Sequence, residues 1–74
     1  MNQEKIGKFI ALMRKEQNLT QKQLAEMLGI TDKSISKWET GRSMPDNALL
    51  LELCSILKIS VNELLSGEQL SKED

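Results

Sequence analysis

The sequence predicts an all-α protein, a compact bundle of five short helices, and three observations carry that expectation. Apolar residues recur at three- and four-residue steps in successive stretches of the chain. Two capping boxes, Thr20-x-x-Gln23 and Ser60-x-x-Glu63, announce helix starts. The length, 74 residues, suffices for one small domain, and helical packing is the cheapest way to give so short a chain a core. The domain is expected over residues 1–67, with helices over about 3–17, 21–28, 32–40, 46–57 and 61–66, followed by a polar, acidic tail over 68–74.

The first helix has Asn2 as a candidate cap and Glu4 in its first turn, where a carboxylate suits the helix dipole. Ile6, Phe9, Ile10 and Met13 form its core stripe. Lys5, Lys8, Arg14 and Lys15 read as a solvated face, a minority of them within reach of phosphates. Asn18 can end the helix in the left-handed conformation, with Leu19 packing under the next one.

In the second helix, Thr20 and Gln23 cap the start, Leu24, Ala25 and Leu28 face inward, and Gly29 stops it. Thr31 caps the third. At about 100° per residue, Asp32, Lys33, Ser36 and Lys37 share one side of that third helix, and Ile35 and Trp38 the other. A helix this short is marginal alone, so Ile35 and Trp38 must anchor it to a core. The polar side is then held outward on a rigid support, and it fits a major groove about 12 Å wide. Trp38 is expected in the core and not stacked on a base.

After Gly41, a loop carries Arg42, Ser43, Met44 and Pro45. Leu50, Leu53, Cys54 and Leu57 are the expected stripe of the fourth helix, closing over Trp38. Leu49, Leu51 and Ile56 flank that stripe, as core edge or as a partner surface. Cys54 reads as a small buried hydrophobe. Ile59 plugs the core, Leu64 and Leu65 face inward from the fifth helix, and Gly67 stops it. The four glycines are all read as helix stops.

Residues Thr20-Gln21, Leu24-Ala25, Gly29-Ile30, Ser34-Ile35-Ser36, Trp38-Glu39, Gly41 and Pro45, continuing through Leu50, Leu53, Leu57, Ile59 and Leu64-Leu65, resemble the helix-turn-helix of the phage repressor and Cro type. The likeness covers about residues 4–66 and holds fixed spacing over several elements at once. It implies the lambda-repressor-like arrangement of the five helices. It also implies that Gln21 contacts the DNA backbone, that residues at the Asp32, Lys33 and Lys37 positions read bases, and that the loop with Arg42 and Ser43 lies along the sugar-phosphate chain. Thr31, Ser34 and Ser36 complete the expected DNA-contacting set. Familiar repressors often carry Gln at the base-reading positions, whereas this chain has Asp and two Lys, so no target sequence carries over.

Residues 1–43 hold eight Lys or Arg against five acids, and residues 44–74 hold two Lys against six. The basic half therefore contains the helix-turn-helix, although a pI near 5.4 means a modest electrostatic footprint overall. The chain has no His, no Tyr and one Cys, which leaves no zinc cluster and no Ser-His or Cys-His arrangement. No enzyme, cofactor or metal is expected. No apolar run approaches the ~20 residues of a membrane span, and the N-terminus lacks a signal-peptide core. The expected location is the cytoplasm.

The reading is a sequence-specific transcriptional regulator of double-stranded DNA, a repressor acting as a homodimer on DNA. Two alternatives stand beside it. One is an antitoxin-like or protein-interaction module using Leu49, Leu51 and Ile56. The other is the DNA-binding domain of a longer regulator.

Overall fold

The computed structural model describes residues 2–70. Five helices follow one another: α1 (Gln3–Glu16), α2 (Gln21–Leu28), α3 (Asp32–Glu39), α4 (Asn47–Leu57) and α5 (Val61–Ser66). Among the described residues there is no strand. The bounds match the sequence expectation for α2 and α5. They fall short by one residue where Gln17, Thr40 and Asp46 serve as caps instead of helical residues.

Local chemistry sets these edges. Asn2, Thr20, Thr31, Asp46 and Ser60 each accept the backbone N–H three residues on, and both capping boxes are closed by Gln23 and Glu63 reaching back. Asn18 sits in the left-handed region at φ 59°, as expected. Gly29, at φ 72°, makes the tight turn between α2 and α3. Lys58 is the exception to sequence chemistry. It ends α4 at φ 60°, a conformation that favours Gly or Asn.

Every helix contributes to one core. Ile6, Ile10, Leu24, Ile35, Leu53, Leu57 and Leu64 are fully buried, with Phe9, Met13, Ala25, Leu28, Trp38 and Cys54 around them. Leu49, Leu50, Ile56 and Ile59 pack at its edge, so Leu50 is half-buried instead of central. α3 packs chiefly on α1 and α2, while α4 sits against α1, α2 and α5. Burial raises the pKa of the Cys54 thiol, and the nearby Glu63 charge adds to that.

Two expectations fail here. Arg14 is not on the solvated face: it is 8% exposed and bonded across to α3. Gly7 is no helix stop. It lies in the middle of α1, and a Cβ there would stand 2.3 Å from the Trp38 carbonyl oxygen and 2.8 Å from that of Glu39. The expected tail begins tied down: Lys5 Nζ meets Glu68 Oε1 at 3.1 Å, and the Leu70 amide donates to Glu63 Oε2. Residues 71–74 of that tail lie outside the described residues. Among the described residues, no helix is long and apolar enough to cross a membrane.

Candidate nucleic-acid interface

α3 has eight residues, so it is about 12 Å long. Its inner side is Ile35, with no exposure, and Trp38, with 5%. Its outer side carries Asp32, Lys33 and Lys37, all exposed, with Ser34 and Ser36 half-buried beside them. The structure thus brings the expected face together on one short rod.

The ends of the rod are held by different means. At the start, Thr31 Oγ1 accepts the Ser34 amide at 3.3 Å, and the two hydroxyl groups lie 3.3 Å apart. Thr31, exposed, and Ser34, half-buried, are therefore both engaged in the cap as well as placed at the face. At the far end, the amides of Arg42 and Ser43 both donate to the Lys37 carbonyl, at 2.8 and 3.3 Å. That folds the loop back on α3 and brings Arg42, which is exposed, to the Lys37 end of the face.

Gln21 has a partner that the sequence did not announce. Its side-chain amide donates to Glu39 Oε1 at 2.9 Å, so it is tied to α3 and does not extend freely from the start of α2. Glu39 is the centre of a small network. Arg14 Nε donates to Glu39 Oε2 at 2.6 Å and Arg14 Nη2 to Oε1 at 3.0 Å, while Nη1 donates to the Leu19 carbonyl at 2.8 Å. Both charged side chains are nearly buried, at 10% and 7% exposure. The hydrogen bond to Glu39 raises the Arg14 pKa, burial opposes it, and the carboxylate charge adds to the rise. The fork pairs two guanidinium N–H groups with the two carboxylate oxygens. Among the described residues no buried side-chain nitrogen or oxygen lacks a partner.

Sequence reasoning placed neither Arg14 nor Gly7 here. A signal existed. The two are seven residues apart, two turns of helix, and flank the Ile6–Ile10–Met13 stripe on one side. A cation and a glycine aligned along a core stripe mark the line where another element comes close.

Beside the face, an open hollow of about 380 Å³ lies in the crook of α2 and α3, lined by Lys22, Ala25, Glu26, Ile30, Thr31 and Asp32. Its charges are mixed in sign and it holds no cluster of ligating groups; among the described residues no group of three or more Cys, Asp or Glu is placed to hold a metal.

A compact five-helix domain whose second and third helices meet at a left-handed glycine, with the third presenting a polar face, is a helix-turn-helix domain of the lambda-repressor-like kind. The chain belongs to the helix-turn-helix family whose profile matches residues 10–64. It is 43% identical over 58 residues to the HTH-type transcriptional activator BcrR of Enterococcus faecalis, covering 78% of this chain and 28% of that protein. It is 34% identical over 68 residues to the repressor protein C2 of Salmonella phage P22, covering 92% of this chain and 32% of that one. The crystal structure of the P22 c2 repressor in complex with synthetic operator 9T superposes with a TM-score of 0.80 at 33% identity, over 85% of this chain and 96% of that one. The chain thus spans about a third or less of the length of these two curated relatives.

Proposed function

We propose that this chain is a sequence-specific double-stranded DNA-binding domain of a transcriptional regulator, acting as a repressor, with α3 in the major groove. The observation that carries the reading is the outward row Asp32, Lys33, Ser36 and Lys37 on a helix fixed from behind by Ile35, Trp38 and Glu39. Lysine donates to guanine O6 and N7, and Asp32 accepts from cytosine N4. Arg42 and Ser43 meet the phosphate chain, as do Thr31, Ser34 and the start of α2 at Gln21, where the positive helix end favours an anion. The likeness to a repressor solved with its operator supports the same reading. No catalytic role is proposed for any residue, and a regulator of this type works in the cytoplasm.

The domain binds as a homodimer on a two-fold site, with half-sites about one helical turn, ~10 base pairs, apart. The interface lies around α4 and α5, because the recognition face must stay free. Leu51 on α4, 70% exposed, supports this.

Selection of bound sequences from random duplex DNA, followed by affinity measurements at several salt concentrations, tests the proposal. A two-fold motif with a steep salt dependence is expected. Absence of any motif, together with salt-insensitive binding of a protein partner, would replace it with the protein-interaction reading.

A further inference from the structure

We infer that Gly7 is a positioning residue for DNA recognition: the bare backbone of α1 at this point sets how deeply α3 is seated, and so how far its polar face stands from the domain. The inference rests on the DNA-binding reading above. A methyl group at residue 7 would lie 2.3 Å from the Trp38 oxygen and 2.8 Å from the Glu39 oxygen. Both atoms are backbone, so no rotamer relieves the collision. The carbonyls belong to the last turn of α3, and they must recede by about 1 Å before the contact becomes an ordinary one. Every residue of the face rides on that backbone. The displacement also cannot be shared evenly. One helix turn pair further along α1, the Arg14 fork holds Glu39 at hydrogen-bond distance, so α3 would pivot against a fixed tether instead of sliding outward.

A pivoted recognition helix loses alignment with base edges before it loses attraction to phosphate. Positional contacts need placement to within about 0.5 Å, whereas charge attraction decays over a Debye length of about 8–10 Å. Substitution at Gly7 therefore lowers discrimination between DNA sequences more than it lowers affinity for DNA in general. Simple destabilisation behaves otherwise, because a reduced folded fraction weakens binding to all duplexes by the same factor.

The test compares Gly7→Ala with Leu64→Val, which trims a fully buried side chain of α5, a helix that packs on α1 and α4. Both are measured in buffer containing trimethylamine N-oxide, with circular dichroism reporting the folded fraction. The Gly7→Ala variant is expected to fold, to bind mixed-sequence duplex within a few-fold of the parent, and to lose about tenfold or more of its preference for the selected site. Its native Trp38 emission is expected to shift to the red, while Leu64→Val keeps the parent's preference and emission. Parental discrimination and parental emission in folded Gly7→Ala overturn the inference. A Gly7→Ala chain that stays unfolded overturns it too, since Gly7 is then required for folding and not for placement. If the parent itself prefers no duplex, the DNA-binding reading falls, and Trp38 emission alone still decides whether α3 has moved.

Discussion

The two sides of α3 are made of opposite material and held to opposite standards. The inner side is Ile35, Trp38 and the Glu39 carboxylate, each buried and each with its partners in place. The outer side is Asp32, Lys33 and Lys37, exposed and with no side-chain partner among the described hydrogen bonds and ion pairs. Eight residues thus separate two tasks that a larger protein assigns to different elements. Stability is vested in one side and recognition in the other, so substitutions should sort cleanly between them.

The largest effects belong to the inner side. Truncating either partner of the buried pair, Arg14→Ala or Glu39→Ala, should cost ~3–5 kcal/mol, because the remaining charge is left buried and alone. Trp38→Ala should cost a similar ~3–5 kcal/mol through the cavity it leaves. A domain this small has about 5 kcal/mol in total, so thermal melts of these variants should show little folded protein. Melting within a few degrees of the parent would mean that the network is ornamental. Because the Arg14 pKa is raised on folding, its contribution is fully present below the unfolded guanidinium value and fades only above it. Melts across neutral and mildly alkaline pH should therefore show no loss traceable to Arg14.

Next come the outer residues, where effects on DNA should appear without effects on folding. Lys33→Ala should leave the melting curve within ~0.5 kcal/mol of the parent and cost ~1–3 kcal/mol of discrimination at one base pair per half-site. Arg42→Ala should keep the motif and lower the salt slope by about one unit. A panel of single-base operator variants at two salt concentrations separates them. A uniform loss over the whole panel for Lys33→Ala would make it a phosphate contact and break the assignment of the face. Smallest is Thr20→Ala, which removes the hydroxyl that accepts the Gln23 amide at 3.0 Å. It should cost about 1 kcal/mol in a denaturant titration, with the selected DNA motif unchanged.

What could be read from the sequence divides along a similar line. Helix edges were legible because their causes are local: Thr20 and Gln23, or Ser60 and Glu63, complete a cap within four residues. The polar face of α3 was legible for the same reason, since a helical wheel needs only one helix. Arg14 was misread because its partner, Glu39, is 25 residues away on another helix. Gly7 was misread because only the approach of the α3 carbonyls gives its missing side chain a meaning. Gln21 was placed at the right helix end, but its bond to Glu39, 18 residues on, could not be foreseen. Lys58 could not be foreseen at all: its backbone adopts a conformation that its side chain does nothing to favour.

α1 also keeps the longest-range company among the described residues. Gln3 donates to the Gly41 carbonyl 38 residues downstream, and Lys5 reaches Glu68 across 63. During synthesis, at roughly 5–20 residues per second, α1 emerges before the other four helices and completes its contacts only with the last of them. Its apolar stripe has α3 to lie against only after residue 39 has emerged, and α5 only after residue 66. Loop-closure entropy must be met before such distant contacts give anything back. The α2–α3 unit, whose two helices are separated by a three-residue turn, can pair as soon as it appears. Of the five helices, the one translated earliest is therefore still gaining contacts when the last one emerges.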